Sequence, residues 1–120
     1  MHINDAVAFV TGGTSGLGAG AVRAVVESGG EVGIVDWAGS AGEELAKELG
    51  VRATFVPTDV TKTDQIAAAI RHVIDRFERL NLDVNCAGIG PGEGHPFGRQ
   101  LLIPRDLAEF GIRVVTVSPV

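Results

Sequence analysis

At 120 residues, 45% hydrophobic and 21% charged, the chain has the composition of one globular domain with a modest core, not of a disordered segment. Ten basic and fifteen acidic residues leave a net charge of −5 with no lysine or arginine cluster, which removes the electrostatic footprint expected for nucleic acid or an anionic membrane surface. No apolar run approaches membrane-spanning length and residues 1–5 lack the regions of a signal peptide, so a cytoplasmic location is the default expectation.

Ala6 to Val10 reads as a short buried strand, and Leu17, Ala21, Val22, Val25 and Val26 recur at helical spacing after it. Between them lies the glycine-rich turn Thr11-Gly-Gly-Thr-Ser-Gly-Leu-Gly18. A strand-to-helix junction of this kind needs glycine where the backbone turns tightly and where a ligand must approach without meeting Cβ atoms. The helix that follows presents N–H groups and the positive end of its dipole, which suits a pyrophosphate.

Glu31 to Val35 is the second expected strand. Ser40 and Glu43 have capping-box spacing, Ala41, Leu45, Ala46 and Leu49 share one helical face, and Gly50 stands where a helix would end. Arg52 to Val56 reads as a third strand. A helix capped by Thr61 or Thr63 follows, with Ile66, Ile70, Val73, Ile74 and Phe77 as its buried face. Leu80 to Asn85 gives a fourth strand.

Residues 88–98 hold too much glycine and proline for a regular element and are expected to be a loop. Pro104 then suits the first turn of a short helix through Phe110, Gly111 suits its end, and Ile112 to Ser118 reads as a last strand. Short apolar runs alternating with amphipathic stretches predict an α/β fold, a Rossmann-like doubly wound parallel sheet. A right-handed crossover through the short helix would set the last strand beside the fourth, giving about five strands in order 3-2-1-4-5. The whole chain then forms a single domain: residues 1–88 as a cofactor half, 89–103 as an irregular loop, and 104–120 as helix and closing strand.

Asn81 and Asp83 break the apolar run that a strand covered on both faces should have. Because burying an unpaired carboxylate costs several kcal/mol, on the order of the desolvation penalty, the face carrying Asp83 is expected to be solvated or to supply a donor.

Asp36 closes the second strand, 18 positions after Gly18, near the spacing of a ribose-binding acid. Its carboxylate can accept hydrogen bonds from both adenosine hydroxyls. A 2′-phosphate would instead set like charges together at a cost on the order of several kcal/mol, and positions 12–18 and 37 hold no arginine or lysine to offset it. The expected cofactor is therefore NAD, not NADP. Asp59-Val60 follows the third strand, where an acid could meet an adenine amino group and an apolar side chain could cover the ring. Asn85-Cys86-Ala87-Gly88 ends the fourth, where small residues let the backbone approach a ribose. All four sites lie at the carboxyl ends of strands, where parallel open sheets bind ligands. Cys86 is the one cysteine, so no internal disulfide forms, and with three dispersed histidines it makes no metal site.

In order and spacing, Thr11-Gly-x-x-x-Gly-x-Gly18, Asp36, Asp59-Val60 and Asn85-Cys86-Ala87-Gly88 resemble the cofactor motifs of the short-chain dehydrogenase/reductase family. The resemblance covers the first 88 residues. Val84 to Gly88, Pro104-Arg-Asp-Leu-Ala108 and Gly111-Ile-Arg-Val-Val-Thr116 look most like the type 2 3-hydroxyacyl-CoA dehydrogenases within it. It implies cofactor contacts from Ser15, Leu17, Asp36, Asp59, Val60 and Cys86, beside the turn glycines Gly12, Gly16 and Gly18 and the Asn85, Ala87 and Gly88 backbone. It also implies reversible NAD-linked oxidation of a secondary alcohol.

The family's general acid and base are a tyrosine with a lysine partner and a serine, and this chain has no tyrosine. Only Ile89 to Ile103 fills the interval where the family carries its serine strand, its Tyr-x-x-x-Lys helix and its oligomerisation helices. No catalytic residue is therefore assigned. His95 is flanked by Gly94 and Pro96 in an expected loop, Ser118 has no adjacent base, and Lys62, His2 and His72 read as solvent-facing. Two readings follow: a short-chain dehydrogenase lacking its catalytic middle, or a non-catalytic NAD or adenine-nucleotide binding module. A homo-oligomer is possible, although without those helices a remnant docking on intact subunits is the weaker expectation.

Overall fold

A computed structural model of the chain describes residues 5–14, 16–59, 61–86 and 113–117. Five parallel strands, β1 (Val7–Thr11), β2 (Glu31–Asp36), β3 (Ala53–Pro57), β4 (Leu82–Cys86) and β5 (Arg113–Val117), form one sheet in the order β3-β2-β1-β4-β5. Among the described residues, α1 (Gly16–Glu27), α2 (Gly42–Leu49) with a 3-10 turn at Gly50–Arg52, and α3 (Thr63–Phe77) connect β1 to β2, β2 to β3 and β3 to β4. The expected fold class and strand order are borne out, with strand boundaries shifted by one or two residues. The expected loop at 88–98 and the helix at 104–110 lie outside the described residues.

Alternation along the strands divides the core in two. Ala8, Val10, Val32 and Ile34 face α1 and α2 with Val22, Val25 and Leu45, while Val7, Phe9 and Val35 face α3 with Ile66, Ile70, Val73 and Phe77. Phe9, Ile34 and Val10 are fully buried, each contributing roughly 1.5–3 kcal/mol of transfer free energy. Helix α3 sits close to the sheet because Gly33 lacks a Cβ: one built there would lie 2.3 Å from Val73 Cγ2.

Four local expectations are corrected. Ser40 forms no capping box: α2 starts at Gly42 after Ala41, and Ser40 Oγ instead accepts a 3.4 Å bond from the Gly42 N–H. Neither Thr61 nor Thr63 caps α3; the extended residue before it is Lys62, while Thr61 bonds backwards to Asp59. Ile74 is 38% exposed, because at about 100° per residue it lies roughly 80° round the helix from Ile66, on the flank of the 66/70/73/77 stripe; Ala69 on the opposite flank is buried instead.

The fourth correction concerns β4. Asp83 is 0% exposed and, among the described residues, neither of its carboxyl oxygens has a hydrogen-bond partner, so its face is not solvated and the expected donor is not found there. The charge yields instead: burial pushes the Asp83 carboxyl up to about 7. Asn81, the other polar break, has a structural use. Its Oδ1 accepts the Val7 N–H at 2.8 Å and its Nδ2 donates to Asp5 O at 3.0 Å, clamping the entry of β1 to that of β4.

Candidate functional site

The carboxyl ends of β1, β2 and β4 lie side by side, since Thr11 pairs with Val35 on one flank and Asn85 on the other. The turn after β1 is anchored to β2 by Gly12 N–H donating to Val35 O at 2.8 Å. Gly12 has φ 66°, in the left-handed region that favours glycine. Gly18, in the first turn of α1, packs on that same backbone, and a Cβ there would lie 1.9 Å from Gly12 O. A Cβ at Gly16, by contrast, would meet nothing within 4 Å. One glycine therefore closes the helix onto the turn while another leaves its start open. The positive end of the α1 dipole points out of the sheet here, with Leu17 43% exposed beside it.

Asp36 ends β2 next to this turn and is 5% exposed. Its Oδ2 accepts from Thr14 N–H at 3.1 Å and from Thr14 Oγ1–H at 2.5 Å, and its Oδ1 accepts from Trp37 N–H at 2.9 Å. Its carbonyl also accepts from Thr58 N–H at 2.8 Å, tying the end of β2 to the exit of β3. Trp37 is 60% exposed and its ring lies over Gly39, where a Cβ would come within 2.0 Å of Cζ3.

Asp59 is exposed beyond the end of β3. Thr61 donates to its Oδ1 from the hydroxyl at 2.6 Å and from N–H at 3.0 Å, which holds this carboxyl below the usual carboxylate range. Gln65 Oε1 accepts the Asp59 N–H at 2.8 Å, fixing the exit of β3 to the first turn of α3.

Of the expected site residues, Gly12, Gly16, Leu17, Gly18, Asp36 and Asp59 sit at this sheet edge, as do the backbones of Asn85 and Cys86. Ser15, Val60, Ala87 and Gly88 lie outside the described residues, as do His2, His95 and Ser118. Lys62 and His72 are exposed. The sequence reading missed Thr14, whose tie to Asp36 depends on two strands meeting in register. An open groove between α2 and β3, lined by Ala46, Lys47, Val51 and Phe55, holds none of the expected residues. Among the described residues no group of three His, Cys, Asp or Glu could hold a metal ion, and no helix is long and apolar enough to cross a membrane.

The short chain dehydrogenase family model matches residues 6–102. The chain is 46% identical over 86 residues to a 3-hydroxyacyl-CoA dehydrogenase type-2 of Drosophila melanogaster, an alignment covering 72% of this chain and 34% of that protein. The chain thus spans about a third of the length of the curated relatives it matches. Among solved structures it superposes on a 3-ketoacyl-(acyl-carrier-protein) reductase from Brucella melitensis complexed with NADH, with TM-score 0.74 and 27% identity over 94% of this chain and 55% of that one. A short chain dehydrogenase/reductase from Burkholderia phymatum in complex with NAD gives TM-score 0.69 and 26% identity, covering 75% and 33%.

Proposed function

This chain belongs to the short-chain dehydrogenase family, and from that premise we propose that residues 1–88 are a cofactor half that binds NAD(H). The observation that carries this reading is the buried Asp36 carboxylate held against the glycine turn. The fit is chemical as well as spatial. Gly16 leaves open space at the start of α1 for a pyrophosphate, and Asp36 offers an acceptor at the ribose while repelling a 2′-phosphate. The residues that would hold the cofactor are Gly12, Ser15, Gly16, Leu17 and Gly18 around the phosphates, Asp36 at the ribose, Asp59 and Val60 at the adenine, and Asn85 to Gly88 along the inner edge. When bound, NAD supplies a hydride acceptor.

The family activity that accompanies this cofactor is oxidation of a secondary alcohol, with a 3-hydroxyacyl-CoA as the substrate class suggested by the Drosophila relative. These 120 residues contain no tyrosine to move the alcohol proton, so the reading for the chain as written is nucleotide binding without turnover. Calorimetric titration tests it: saturable binding of NAD, weaker binding of NADP, loss of NAD binding in Asp36→Asn, and no alcohol-dependent NADH production are the expected results. Absence of saturable NAD binding removes the nucleotide reading. Steady turnover abolished by Asp36→Asn removes the non-catalytic one. The DNA between the codons for Phe97 and Leu101 is informative too, because a serine and Tyr-x-x-x-Lys segment found there would identify the chain as an enzyme with its middle omitted.

A further inference from the structure

We propose that Thr14 is a second ribose-reading residue, which divides the adenosine diol with Asp36 and adds to the discrimination against a 2′-phosphate. The inference rests on the nucleotide reading above and comes from counting protons and lone pairs. A carboxylate offers about four acceptor positions, and three of those on Asp36 are occupied, two on Oδ2 by Thr14 and one on Oδ1 by the Trp37 N–H. One position on Oδ1 remains, enough for a single hydroxyl. A threonine hydroxyl carries one proton, and Thr14 gives its proton to Asp36. Its oxygen is thereby fixed as an acceptor, at the same edge as Asp36 and only half-buried. One ribose hydroxyl donates to Asp36 Oδ1 and its neighbour donates to Thr14 Oγ1. A 2′-phosphate, which brings acceptors and negative charge, meets a carboxylate and a hydroxyl whose proton is already committed.

The test is calorimetry with NAD, NADP and the two NAD analogues lacking the adenosine 2′- or 3′-hydroxyl, on the wild-type chain, Thr14→Ser and the near-isosteric Thr14→Val. Valine keeps the backbone bond to Asp36 and removes the hydroxyl; Thr14→Ala serves the same purpose should the valine chain not fold. Loss of one hydrogen bond predicts about fivefold weaker NAD binding by Thr14→Val, with Thr14→Ser within about twofold of wild type. The valine effect should vanish with the one deoxy analogue whose missing hydroxyl is the one Thr14 accepts. Equal weakening of NAD and both analogues would mean that Thr14 merely holds the turn, and undiminished NAD binding by Thr14→Val would mean that it reads nothing. Either result overturns the proposal while leaving the NAD site standing. Failure of the wild-type chain to bind NAD overturns both.

Discussion

Asp83 stands opposite Phe9 in the β1–β4 ladder, so its carboxyl shares the α3 face of the sheet with a fully buried phenyl ring. With no donor for either oxygen among the described residues, the acid is kept by staying protonated, and burial raises it from 3.8 to about 7. The folded chain therefore holds a proton that the unfolded chain has already lost. The associated stability is complete below the unfolded value near 4, falls as pH rises from there towards 7, and is gone above the folded value. A rise of that size corresponds to on the order of 4 kcal/mol. Urea unfolding at pH 5 and pH 8 should show the chain markedly weaker at pH 8, and Asp83→Val should remove most of that difference while raising stability at pH 8. A pH-independent wild-type midpoint contradicts this.

Asn81, two residues earlier, breaks the same apolar run with the opposite consequence. Its side chain satisfies the N–H of Val7, a fully buried residue, so Asn81→Leu leaves that donor unpaired while adding apolar surface. The expected cost is about 1–3 kcal/mol, read as a lower urea midpoint at unchanged slope. A stabilised variant would mean that the clamp contributes nothing.

Much of the fold was legible because a doubly covered sheet leaves short apolar strands, and Val7 to Val10 and Val32 to Val35 carry that signal undiluted. The placement of the glycine turn and Asp36 was legible for the same reason, since both follow directly from where a strand ends. Helix starts were not. Ser40 Oγ reaches only the Gly42 N–H at the first position of α2 and Thr61 turns back to Asp59, and which of these local bonds forms is decided by geometry, not residue type. The two polar residues of the fourth run look alike in sequence, yet Asn81 finds partners 74 and 76 residues away and Asp83 finds none among the described residues. The Thr14–Asp36 tie is equally non-local, closing 22 residues of chain.

Gly33 and Val73 form a separable contact between sheet and helix. A Cβ at position 33 would lie 2.3 Å from Val73 Cγ2, and Val73 is fully buried, so Gly33→Ala forces α3 outwards or Val73 off its rotamer, at about 1–3 kcal/mol. Val73→Ala removes the obstructing methyls and leaves a void of its own. Combining the two should cost clearly less than the sum of the single changes, because the new methyl occupies the space the valine vacated. Additive midpoints in a double-mutant cycle would show that the two positions do not meet.

The glycines of the first helix should divide sharply under alanine substitution. At Gly18 the added methyl meets the backbone of the glycine turn, 1.9 Å from Gly12 O and 2.8 Å from Gly13 Cα, and backbone cannot rotate aside. Gly18→Ala must displace either the turn or the start of α1, lowering stability by about 1–3 kcal/mol and weakening NAD binding with it. Gly20 lies one turn into the same helix, exposed, with nothing within 4 Å of a built Cβ. There alanine only relieves the entropic cost of a helical glycine, and Gly20→Ala should stabilise the chain by about 0.5–1 kcal/mol with nucleotide affinity unchanged. Thermal melts and NAD titrations on the pair read both effects. Equal behaviour of the two variants would contradict the close packing of α1 on the turn.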